Sequence, residues 1–82
     1  MKYRIAWYRK FGSEKTFHLM DPAVYSAENI EVAETQLKYL EKVSHGADPN
    51  GTVEVTDRRV QADYTLSYGG TITHVYKIIE ED

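Results

Sequence analysis

The stretch Ser26-Ala27-Glu28-Asn29-Ile30-Glu31-Val32-Ala33-Glu34-Thr35-Gln36-Leu37-Lys38-Tyr39-Leu40-Glu41-Lys42-Val43-Ser44-His45-Gly46 carries more agreeing local signals than any other part of the chain. Ile30, Ala33, Leu37 and Leu40 recur at three- and four-residue spacing, with Val43 close to the same stripe. That is the spacing of one buried helical face. Ser26 is a suitable N-cap and Gly46 a suitable C′ residue. Glu28, Glu31 and Glu34 fall toward the positive end of the helix dipole, and Lys38, Lys42 and His45 toward the negative end. Glu34 and Lys38 form a favourable i,i+4 pair. The pattern predicts a helix over 27–44.

On either side of it the period changes from that of a helix to that of strands. Tyr3, Ile5 and Trp7 alternate with Arg4, Ala6 and Tyr8, and Phe17 and Leu19 alternate with Thr16, His18 and Met20. This is the pattern of half-buried strands. A three-residue loop over Phe11, Gly12 and Ser13 sets Trp7 opposite Phe17 and Ile5 opposite Leu19, which keeps the apolar set on one face. Asp21-Pro22 is read as the end of the second strand. After the helix, Asp48-Pro49-Asn50-Gly51 reads as a type I turn. A third strand follows over Thr52–Asp57, with Val53 and Val55 inward, and a fourth over Val60–Tyr68. Gly69-Gly70 reads as a two-residue hairpin turn, which sets Tyr64 against Val75, Leu66 against Thr73 and Val60 against Ile79. The fifth strand, Thr71–Ile79, is apolar on both sides and is expected at a central or covered position. The order is ββαβββ. The expected fold is α+β, an antiparallel sheet with one helix packed across a face.

The chain has 82 residues and no linker or repeat, so a single domain over 1–82 is expected. It contains no cysteine, which excludes a disulfide scaffold, a thiolate metal site and a thiol nucleophile. No apolar run is long enough for a membrane span, and the N-terminus lacks the apolar stretch of a signal peptide. A cytoplasmic location and no membrane partner are the expectation. The net charge is −3, distributed unevenly: residues 1–20 carry +4, 21–57 carry −6 and 58–82 carry −1. A net acidic chain is a poor general phosphate binder, although a basic first segment leaves a local basic face possible.

Catalytic chemistry is hard to find. His18, His45 and His74 are all more than four residues apart, so there is no short metal-ligand pair. A site joining His18 and His74 after folding weighs less than the plainer readings. These place His18 on solvent, His45 at the helix C-terminus and His74 half buried beside Tyr76. No glycine-rich loop precedes a helix, and no nucleophile elbow is present. Neither an enzyme nor a bound cofactor or metal is expected.

The aromatic residues say more. Of seven tyrosines, Tyr3 and Tyr64 fit the core with Trp7 and Phe17, whereas Tyr8 and Tyr39 do not, and Phe11 falls at a loop tip. Exposed tyrosine beside arginine is enriched at protein interfaces, although single exposed tyrosines are common. Two candidate faces result. One is the basic outer face of the first hairpin, with Lys2, Arg4, Tyr8, Lys10, Thr16 and His18. The other is the acidic helix face, with Glu28, Glu31, Glu34, Glu41 and Tyr39. Arg58 and Arg59 form an exposed bend able to grip a phosphate or carboxylate. The reading is a small non-catalytic interaction module that binds another protein. It would be an accessory or inhibitor type, of a size in keeping with a phage or mobile-element product. The alternative is a nucleic-acid-binding domain using the basic hairpin face. A homodimer is a further possibility for so small a chain.

Overall fold

A computed structural model describes residues 2–48, 51–56, 58–67 and 69–81, with only the backbone described at 21–25 and 81. Five strands and one helix follow in the order β1 (Lys2–Phe11), β2 (His18–Ala27), α1 (Ile30–Ala47), β3 (Thr52–Thr56), β4 (Arg59–Thr65) and β5 (Thr71–Glu81). The strands form one antiparallel sheet in the order β2-β1-β5-β4-β3, and α1 packs across one face. The α+β class and the order ββαβββ are as the sequence implies. The doubly apolar β5 is the central strand.

The core lies between α1 and the near face of the sheet. Ala33, Leu37 and Leu40 meet Ile5, Ala27, Val60 and Ile78, with Tyr3, Ile30, Val53 and Tyr76 packed around them. Each wholly buried aliphatic side chain of this kind stabilises the fold by roughly 1.5–3 kcal/mol relative to an exposed one. Beyond the helix, the Asp48 carboxylate accepts the Thr65 N–H at 2.8 Å, tying the helix exit to the end of β4. The Gly51 N–H donates to the Asp48 carbonyl at 3.0 Å, the closing bond expected of the turn. Pro49 and Asn50 of that turn lie outside the described residues, as do Asp57 and Tyr68.

The helix starts later than its N-terminal signals imply. Asn29, not Ser26, is the N-cap, and its Oδ1 accepts the Val32 N–H at 2.9 Å. Ala27 instead pairs with Tyr3 in the sheet and is buried, because strand pairing and core contact outweigh its helix propensity. The helix also runs past Gly46, ending at the extended C-cap Asp48. Its buried stripe continues from Leu40 to Ser44, which is 1% exposed, while Val43 is 46% exposed. Among the described residues no ion pair joins Glu34 and Lys38.

Both hairpins differ in register from the expectation. Trp7 pairs with Met20, Tyr8 with Leu19 and Arg9 with His18, so the connection spans residues 12–17. The Glu14 carboxylate organises this loop by accepting the Phe11 N–H at 2.8 Å and meeting the His18 ring at 2.9 Å. These bonds hold the Glu14 carboxyl below its ordinary pKa. The odd shift sends Phe17 and Leu19 to the face away from the helix. Asp21-Pro22 does not end β2. The strand runs on with an irregularity opposite Ala6, and proline is tolerated because β2 is an edge strand.

In the β4–β5 hairpin, Thr65 pairs with Thr71, Tyr64 with Ile72 and Val60 with Tyr76. The loop is therefore 66–70 rather than Gly69-Gly70 alone. The Leu66 N–H donates to the Gly70 carbonyl at 2.8 Å, and Gly69 takes a φ of 93°, open to glycine at little steric penalty. This register puts Ile72, His74, Tyr76 and Ile78 on the helix side. Thr73, Val75, Lys77 and Ile79 go to the other side.

Candidate functional site

The face of the sheet opposite α1 has no layer over it among the described residues. Its side chains form rows across the strands. One row runs Leu19, Tyr8, Val75, Gln61 and Glu54, and the next runs Ala6, Lys77, Arg59 and Thr56. Arg4 stands opposite Ile79, and Lys10 opposite Thr73. Phe17 and Leu19 are 40% and 59% exposed. The Lys10 ammonium lies 5.2 Å from the centre of the Phe17 ring, a cation–π contact. Asp63 on this face is already engaged, accepting the Thr73 hydroxyl at 2.6 Å and the Thr52 hydroxyl at 3.2 Å. Tyr8, Phe17, Arg59, Val75 and Lys77 line a shallow groove of about 300 Å³.

The structure thus brings Arg4, Tyr8, Lys10 and Arg59 to one surface. Arg59 joins them because it belongs to β4, not to a bend. The bend residue is Arg58, at a φ of 61°, which lies instead beside α1 in a cleft of about 140 Å³ with Glu34, Leu37, Glu41, Val55 and Val60. Phe11 falls on the helix side of β1, with the Arg9 guanidinium 4.8 Å from its ring centre. His18 also lies off the basic face, since it pairs with Arg9. Sequence reasoning missed Phe17, Leu19, Lys77 and Ile79. Their alternation was visible, but the face they occupy depends on a register set by loop length.

The acidic set is not one patch. Glu28 precedes the helix and lines an open depression of about 610 Å³ with Lys2, Tyr3, Asn29 and Val32. Glu31 is exposed in the first turn. Glu34 and Glu41 face the β3–β4 turn. Tyr39, 58% exposed, lies roughly 140° around the helix from Glu34, on the flank shared by Val32 and Val43.

The remaining polar cluster is on the helix side. The Trp7 indole N–H donates to His74 Nδ1 at 2.8 Å, the two rings stack with centroids 5.5 Å apart, and Tyr64 tilts onto His74 at 5.0 Å. An indole N–H only donates, so Nδ1 is the bare nitrogen and the neutral ring carries its proton on Nε2. Burial, and then the Arg9 charge, hold the His74 pKa below its ordinary value. His18 and His74 share the row His18–Arg9–His74, with the Arg9 cation between them. No cluster of three metal-ligating side chains occurs among the described residues. No described helix is long and apolar enough to cross a membrane.

No protein-family model, no curated protein and no solved structure matches the chain.

Proposed function

We propose that this protein is a small non-catalytic interaction module, of accessory or inhibitor type, that binds another protein in the cytoplasm through the uncovered face of its sheet. The observation behind this reading is the composition of that face. Tyr8, Phe17, Leu19 and Ile79 stand among Arg4, Lys10, Arg59 and Lys77 with no second layer above them among the described residues. Exposed apolar groups rimmed by charge are the usual make-up of a docking surface.

A second reading, single-stranded nucleic acid, is favoured by Tyr8 and Phe17 interleaved with the same cations. It weighs less because Leu19, Val75 and Ile79 offer no ring for a base to stack on. The net charge of −3 also opposes a polyanion.

A photo-crosslinking phenylalanine analogue placed at Leu19, and separately at Tyr39, tests the reading in cells of the natural source. A discrete polypeptide adduct is expected from the Leu19 position and not from Tyr39. Adducts from Tyr39 alone, or a nucleic-acid adduct from Leu19, overturn it.

A further inference from the structure

Arg59 and Lys77 stand directly opposite each other on β4 and β5, and Lys77 faces only Ala6 on its other side. Like charges at opposed cross-strand positions destabilise a sheet. Among the described residues no carboxylate pairs with either cation. Arg59 Nη2 donates instead to the uncharged Gln61 Oε1 at 2.8 Å. Two positive charges therefore stand side by side with no carboxylate partner among the described residues. They do so in the groove walled by Tyr8 and Phe17, beside the buried Val75.

Resting on the protein-binding reading above, we infer that this groove receives an acidic segment of the partner protein. Arg59 and Lys77 hold a carboxylate of that segment, and an adjacent apolar side chain packs over Val75 between Tyr8 and Phe17. The charges argue against a second copy of this chain. A two-fold contact through this face would bring both copies' Arg4, Lys10, Arg59 and Lys77 into one interface, eight cations against the carboxylates of Glu54 and the already engaged Asp63. They argue equally for carboxylates spaced by apolar residues. The face interleaves its cations with Leu19, Val75 and Ile79, and an extended segment with acidic and apolar residues two positions apart turns both toward it.

The probe is a short peptide repeating Glu-Ser-Leu-Ser, which sets Glu and Leu on one side of an extended chain, titrated into isotope-labelled protein and followed by backbone NMR. The amide signals of Tyr8, Phe17, Arg59, Val75 and Lys77 are expected to shift together and saturate, and a Lys-Ser-Leu-Ser repeat is expected to leave them unmoved. Lys77→Glu is expected to weaken binding at least tenfold while raising the melting temperature, because it turns the opposed cations into an ion pair. A purely structural lysine would not give that opposite pair of effects. Arg59→Gln, which keeps a hydrogen-bonding side chain, is expected to weaken binding as well.

The inference is overturned if these signals do not move, or if Lys77→Glu binds the peptide as well as the parent protein does. It also falls if an oligothymidine shifts the same signals more strongly at equal salt, or if the free protein is a dimer that Lys77→Glu dissociates. A crosslink to a polypeptide from Leu19 alongside a silent peptide titration removes the acidic partner and leaves the protein-binding reading standing.

Discussion

On the helix side of the sheet, Ile5, Val60 and Ile78 are sealed under Ala33, Leu37 and Leu40, whereas on the far side Leu19, Tyr8 and Ile79 stand beside Arg59 and Lys77 with no described residue layered above them. The same strands supply both faces, since alternate residues of each strand point opposite ways. One helix covers only one face of this five-stranded sheet, although Ala6 and Val75 on the other face are also buried. Most of the core is therefore on one set of alternating positions, and the exposed positions of the other set are free to carry charge. The opposed Arg59 and Lys77 are tolerable only because the buried face supplies the net stability.

Substitutions that separate the faces test this contrast. Ile5 is wholly buried in the core cluster, so Ile5→Ala is expected to lose about 2–5 kcal/mol in urea denaturation, through lost transfer energy and a cavity. A loss below about 1 kcal/mol would mean that the helix-side core does not hold the fold as described. Asn29→Ala removes the cap that accepts the Val32 N–H and is expected to cost about 1 kcal/mol by the same measurement. If Asn29→Ala is silent and Ser26→Ala is not, the helix starts where the sequence signals place it.

The pH dependence comes next, and it also belongs to the covered side. The His74 pKa lies below its ordinary value of 6.5 in the folded protein. As the pH falls through 6.5, the unfolded chain takes up a proton that the folded ring resists, so stability declines below that point. Above it, both states are neutral at this residue and the effect vanishes. Unfolding followed by Trp7 fluorescence at pH 7.5 and pH 5 should show the loss, and His74→Gln should reduce it. An unchanged difference in the variant would assign the effect to other groups. Smallest is Leu19→Ser on the open face. A residue 59% exposed is expected to change stability by no more than about 0.5 kcal/mol while weakening partner capture. A large stability loss there would show that the open face is covered after all.

Much of the fold was legible locally. The Ile30–Leu40 stripe, the turn into Thr52 and the doubly apolar β5 each follow from side-chain spacing. The site was legible in part. Arg4, Tyr8 and Lys10 share a face because they share a parity on β1, and that parity holds whatever β1 pairs with. Phe17, Leu19 and Lys77 were not legible, because their side of the sheet depends on the loops at 12–17 and 66–70. Each loop is longer than its sequence signals imply. The Glu14 bonds to Phe11 and His18 that hold the first one open join residues three and four apart, a detail with no periodic signature.

The order of residues alone thus determined which segments are helix or strand and which side chains share a face within each strand, because these follow from the 3.6- and two-residue periods of the backbone. Tertiary structure decided which face is covered. β1 pairs with β5 from the far end of the chain as well as with its neighbour β2. A one-residue difference in that long-range register exchanges core for surface along a whole strand.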